Sequence, residues 1–121
     1  MLSRVAEHIY WFGRYTERAE NTARLLKVNT TLLLDLPPKI TFGWGHLPRI
    51  AGCQEAFDEH HEQADENNVV HFLILDERNP SSILSSLRSA RENMRTTRDL
   101  MPREVWEQVN RLYYRVREQG Q

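Results

Sequence analysis

LSRVAEHIYWFGRYTERAENTARLLKVNTTLLLDL, residues 2–36, decides the fold. It contains no proline. Small, apolar or threonine side chains recur at Leu2, Val5, Ile9, Phe12, Thr16, Ala19, Ala23, Leu26, Thr30 and Leu33. Steps of three and four alternate, as they do along one packing face of an α-helix. At about 1.5 Å per residue the helix would reach roughly 50 Å, longer than so small a domain needs. The rest of the chain, or a second copy, must pack on it. Ser3 is placed to cap its start, and Pro37-Pro38 to stop it, because proline cannot continue a helix and restricts the residue before it. Gly13 inside the helix either allows another backbone to approach or is simply tolerated, at a cost of roughly 1 kcal/mol against alanine.

Downstream, residues 37–53 hold three prolines and three glycines and read as a turning connection, with a short helical piece over Leu47–Ala51 and with Phe42 and Trp44 as anchors. Residues 54–64 suggest a peripheral acidic helix. Residues 69–75, VVHFLIL, would suit a buried strand or a buried helix. No strand partner is legible elsewhere, and Asp65 or Asn67 can cap a helix, so a helix is expected. Asn79-Pro80-Ser81-Ser82 reads as a helix start, with the Asn79 side chain as cap and proline in the first turn, followed by a face of Ile83, Leu87, Ala90, Met94 and Thr97. Pro102 would open the last helix at its first residue, with Val105, Val109, Leu112 and Val116 as its seam and Trp106 and Tyr113 beside it. The expected architecture is an all-α helical bundle built around one long N-terminal helix and completed by self-association.

The chain has 121 residues, enough for one domain with a modest core, and 27% charged residues suit a globular surface. A net charge of −1 excludes a nucleic-acid binder working by bulk electrostatics. Apolar runs such as Phe72–Leu75 are far too short to span a bilayer, so no membrane partner is expected. The start lacks the pattern of a secretory signal. Cys53, the single cysteine, cannot form an intramolecular disulfide. These features point to the cytoplasm.

Two polar stripes carry the candidate chemistry. Arg14, Glu17, Asn21 and Arg24 line the first helix opposite its packing face, flanked by Arg18 and Glu20. The plain reading is a solvated face of Glu/Arg pairs, each worth a few tenths of a kcal/mol. Arg88, Arg91, Arg95 and Arg98 form the second stripe, bordering a buried face. Four guanidiniums on one edge call for anions, either carboxylates of this chain or phosphates of a ligand. No aromatic residues interleave with them, which argues against nucleic acid. His60-His61 with Asp65 offers too few ligands for a metal site, and there is neither a phosphate-cradling glycine loop nor a nucleophile elbow. We expect no metal and no cofactor.

The opening run closely resembles that of the bacterial alpha-E family, which has the form LSRVAxxxYWxGRYxERAExxARLL. Here it is carried by Leu2–Ala6, Tyr10-Trp11, Gly13–Tyr15, Glu17–Glu20 and Ala23–Leu26. NPSSILSSLRSARENMRTTRD, residues 79–99, resembles the family's second characteristic segment, and ADENNVVHFLILD between them is similar too. The resemblance implies an all-α fold and a chain of roughly 300 residues of which this would be the N-terminal part, leaving a seam for a second copy to cover as a dimer. It also implies genes beside ATP-grasp ligases and transglutaminase-like peptidases, hence a pathway that makes or trims amide bonds. The family's polar motifs fall on Arg14, Glu17, Arg18, Glu20, Asn21 and Arg24, and on Arg88, Arg91, Glu92 and Asn93, which are expected to converge on one ligand site.

Three functions follow. The first is an accessory domain that binds a peptide or a carboxylate- or phosphate-bearing intermediate, or an ATP-grasp or transglutaminase-like partner. The second is a structural domain whose stripes are interhelical ion pairs. The third is an amide-bond enzyme with Glu17 or Glu20 as general base, an assignment that neighbouring arginines disfavour.

Overall fold

A computed structural model describes residues 3–35 and 44–119. Pro37-Pro38 and Phe42 lie outside the described residues, as does the side chain of Ser3. Among the described residues the chain forms α1 (Ser3–Asp35), α2 (Leu47–Ile50), α3 (Gln54–His60), α4 (Glu66–Ile74), α5 (Ile83–Arg95), a 3-10 turn (Arg98–Leu100) and α6 (Arg103–Gln119), with no strand. The all-α reading holds, and VVHFLIL is helical through Ile74. Its cap is Asp65, whose carboxylate accepts from the Asn68 amide at 2.8 Å. None of these helices is long and apolar enough to cross a membrane.

Helix α1 serves two cores. Its N-terminal half packs against α5 and α6. Ala19 joins Leu84, Leu87 and Tyr113, and Phe12 and Tyr15 rest on Ala90, Met94 and Val109. These pairings advance along α5 while they recede along α1, so the two run antiparallel, and α6 runs back beside α5. The C-terminal half of α1 places Leu26 with Leu47, Cys53, Phe57, Val69, Phe72 and Leu73 from α2 to α4. Burial of apolar area on both halves, at roughly 25 cal/mol per Å², is what holds a helix of this length in place.

The packing face of α1 is rotated from the expected one. Ala19, Thr22, Leu26 and Asn29 are buried, whereas Ala23 and Thr30 are exposed. The true seam keeps the 3-4-3 spacing but contains two polar residues, which concealed it. Nothing lies within 4 Å of where a Cβ on Gly13 would stand, so that glycine serves no close approach among the described residues.

Two helix starts also differ. Ser82, not Asn79, caps α5 and accepts from the Ser85 amide at 3.1 Å. Asn79 is fully buried. Its Oδ1 accepts from the Ser81 amide and its Nδ2 donates to the Phe72 carbonyl at 3.0 Å, tying the α4 exit to the α5 entry. Pro102 stands one residue before α6, its carbonyl accepting from Val105. On α6 the seam runs through Val109 and Tyr113, and Leu112 is exposed. Tyr113 instead packs with Leu84 and Leu87 of α5.

Candidate functional site

An open cavity of about 350 Å³ lies between α1 and α2. Arg14, Glu17, Arg18 and Asn21 form its polar side, and Leu25 and Ile50 its apolar side. The spacing of the first four residues puts them on one helix face. The opposite wall is built by α2. Leu47 is buried against Leu26, Pro48 fixes the first turn, and Gly52 at φ +78° reverses the chain into α3. That backbone conformation is one L-residues rarely adopt, so glycine is required there.

The cavity's charges are loosely tied. Arg14 reaches Glu17 at 3.6 Å, both side chains being more than half exposed. Arg18 lies 5.4 Å from the centre of the Tyr15 ring and makes no hydrogen bond or ion pair among the described residues. Two guanidiniums thus face one carboxylate, leaving an excess of positive charge and several free N–H donors. Glu20 and Arg24, expected at the same site, are exposed on α1 and do not line this cavity.

The second set of expected residues is divided among three places. Arg88 pairs with Glu77. Asn93 Oδ1 accepts from His8 Nδ1 on α1 at 3.0 Å, and its Nδ2 donates to the Ser89 carbonyl. Arg91 and Glu92 line a separate cavity of about 340 Å³ between α5 and α6, together with Met94, Arg95, Arg98 and Asn110. The two cavities share no lining residue, so the α1 and α5 stripes do not meet there. The arginine stripe turns toward α6 instead, because Trp106, Tyr113 and Tyr114 offer ring faces to it. Ile50, Asn110 and Tyr114 escaped sequence reasoning, whereas Trp106 and Tyr113 were placed beside the α6 seam but not at a site.

His60 and His61 take different partners: Arg78 meets His60 Nδ1 at 3.1 Å, and His61 stacks on Phe57 at 5.0 Å. Among the described residues, no three His, Cys, Asp or Glu side chains are placed to hold a metal ion together. Cys53 is buried near Asn79, and burial pushes its thiol up from the ordinary value, the inert kind of cysteine.

The model of the family Alpha-E, described as a predicted alpha-helical domain with a conserved ER motif, matches residues 1–121. The chain belongs to the Alpha-E family. No curated protein and no solved structure matches it. In this Alpha-E chain the Glu-Arg dipeptide occurs twice, at Glu17-Arg18 and at Glu77-Arg78. Glu17-Arg18 lies in the α1 cavity. Glu77 accepts from Arg88, and Arg78 grips the buried Asp76 carboxylate with Nε at 3.0 Å and Nη2 at 2.9 Å. Those hydrogen bonds hold the Asp76 carboxyl below its ordinary value.

Proposed function

We propose that this Alpha-E chain is a binding domain that takes the free carboxylate end of a peptide, or of a peptide-like intermediate, between α1 and α2. The observation that carries the reading is the state of Glu17-Arg18. Its arginine has no in-chain hydrogen-bond partner among the described residues and borders an open cavity beside a second arginine. Arg14 and Arg18 would fork onto the carboxylate, since guanidinium geometry matches it. Asn21 would add a donor or acceptor, Glu17 would meet an amine, and Leu25 and Ile50 would take an apolar side chain. Such a ligand suits an accessory role beside ATP-grasp ligases or transglutaminase-like peptidases, the setting that the resemblance of the α1 motif implies. No burial supports Glu17 as a general base: its side chain is 58% exposed.

Titration of a short peptide with a free C-terminus, followed by isothermal calorimetry, tests this. The carboxylate form should bind and the C-terminally amidated form should not. Equal binding of the two forms, or none of either, refutes the assignment.

A second reading is favoured by the exposed apolar side chains along α1. Tyr10, Val28, Leu32 and Leu34 stand in solvent on a helix otherwise committed to packing. On this reading a second copy covers α1 in a dimer. Light scattering should then give twice the chain mass, and Leu32→Asp with Leu34→Asp should halve it.

A further inference from the structure

We propose that the groove between α5 and α6 is a second, independent anion site and that its ligand is a phosphoryl group. Three guanidiniums, those of Arg91, Arg95 and Arg98, converge on this cavity against the single carboxylate of Glu92. Their steps of four and three bring them to one edge of α5 and the turn that follows it.

Two of the three are held over aromatic rings. The Arg98 guanidinium carbon lies 4.1 Å from the centre of the Trp106 ring. That of Arg91 lies 4.2 Å from the Tyr113 ring centre and 5.0 Å from that of Tyr114. A guanidinium held over a ring face by the ring's quadrupole spends none of its N–H donors on that contact. Arg91 donates Nε to Asn110 at 2.7 Å and Nη2 to Tyr114 at 3.3 Å, which leaves both Nη1 hydrogens and one on Nη2. The Arg98 side chain donates no hydrogen bond to another described residue. Arg95 is tied only to Glu92, at 3.4 Å, with both side chains largely exposed, a pair that an incoming anion displaces easily.

Charge and geometry select the ligand class. Three cations and one carboxylate leave an excess of two positive charges. A phosphate monoester carries about −1.5 to −2 at neutral pH and three acceptor oxygens, one for each guanidinium. A carboxylate supplies one charge and two oxygens, leaving one arm unmet. Nucleic acid is disfavoured because the faces of Trp106 and Tyr113 that would stack on bases already carry arginines. This site does not rest on the reading of the Glu17-Arg18 cavity.

The probe is inorganic phosphate at fixed ionic strength, followed by nitrogen-15 NMR of the tryptophan indole and arginine Nε signals and by calorimetry. Saturable shifts at Trp106, Arg91 and Arg98 are expected. Affinity should fall about tenfold in Arg95→Gln and in Arg98→Gln, the scale of one charge-assisted hydrogen bond. Arg95 is exposed and carries no core contact, so that variant reads binding without risk to folding. Arg14→Ala with Arg18→Ala should leave the phosphate response intact. The proposal is overturned if the shifts do not saturate, if acetate at equal concentration reproduces them, or if Arg95→Gln and Arg98→Gln bind as the parent does. Loss of the response in Arg14→Ala with Arg18→Ala instead would overturn it too, placing the anion between α1 and α2.

Discussion

The same two residues, glutamate followed by arginine, occur at Glu17-Arg18 and at Glu77-Arg78 with opposite fates. At the second position every charge has a protein partner. Arg78 clamps Asp76, whose residue is 4% exposed, and reaches His60, while Glu77 takes Arg88. The turn between α4 and α5 is thereby fixed. At the first position the charges lie in the middle of a long helix whose backbone is already satisfied, so no turn needs them. Arg14 is the one ion-pair partner Glu17 has among the described residues, and it is 3.6 Å away. The difference teaches that a dipeptide has no fixed role. In a turn, backbone amides and a buried carboxylate absorb it; on a helix face it remains available to a ligand.

The largest effect that tests this contrast is on affinity. Arg14→Ala with Arg18→Ala should weaken peptide-carboxylate binding by at least about a hundredfold, since each charge-assisted hydrogen bond contributes about 1.5–3 kcal/mol and each 1.4 kcal/mol is tenfold. The circular-dichroism helix signal and the melting temperature should stay near those of the parent. A comparable loss of melting temperature would show the first dipeptide to be structural like the second.

The next effect is on stability. Asp76→Asn keeps one oxygen for the Arg78 amide but loses the paired guanidinium contact. It should lower the melting temperature by several degrees and leave peptide affinity unchanged. It should also alter the acid limb. The folded Asp76 carboxyl sits below its ordinary value because of its hydrogen bonds from Arg78. Its contribution is therefore complete above the unfolded value near 3.9 and is lost as pH falls through the lower folded value. Melting curves from pH 6 down to pH 2 should show the parent losing its advantage over Asp76→Asn at the acid end. Parallel curves would mean that the clamp contributes no stability through ionisation.

A smaller effect concerns the wall opposite the first dipeptide. Gly52→Ala places a side chain at φ +78° and should cost roughly 1–2 kcal/mol. Because Gly52 sets the exit of α2, this variant should also weaken peptide binding several-fold, whereas phosphate binding between α5 and α6 should not change. Equal weakening at both sites would mean that the variant acts through global unfolding.

How far the sequence reached is clear from the same elements. The long helix was legible because α1 needs only spacing and the absence of proline. Its true face was not, because Thr22 and Asn29 in the seam read as surface residues, and only the approach of neighbouring helices buries them. Asp65 as a cap was legible from local chemistry alone. Asn79 was misplaced because the same side chain that can cap a helix can also bond a distant carbonyl, here that of Phe72. At the first site, Arg14, Glu17, Arg18 and Asn21 were legible as one face, but Ile50 and the floor of the cavity depend on where α2 docks. Convergence with the α5 stripe failed as an expectation at these cavities, since spacing around a helix gives relative angles and not which neighbour each angle meets. Aromatic rings on α6 decided that for Arg91 and Arg98.

The smallest effect is the sharpest on mechanism. Glu17→Gln removes one charge and one loose ion pair, so stability should change by no more than about 0.5 kcal/mol. If Glu17 meets the ligand's amine, a peptide with a free amine within reach should lose affinity several-fold and its N-acetylated form should not. A neutral amide still accepts a hydrogen bond from an ammonium group, so the loss should stay well short of that from Arg14→Ala with Arg18→Ala. A catalytic carboxylate would behave otherwise. Substitution by glutamine would then leave binding of both peptides intact and abolish any turnover that the parent shows on an amide substrate. The free and acetylated peptides together with the turnover readout thus separate a recognition role for Glu17 from a chemical one, and unchanged binding of both peptides with no loss of turnover would confine the recognition role to Arg18.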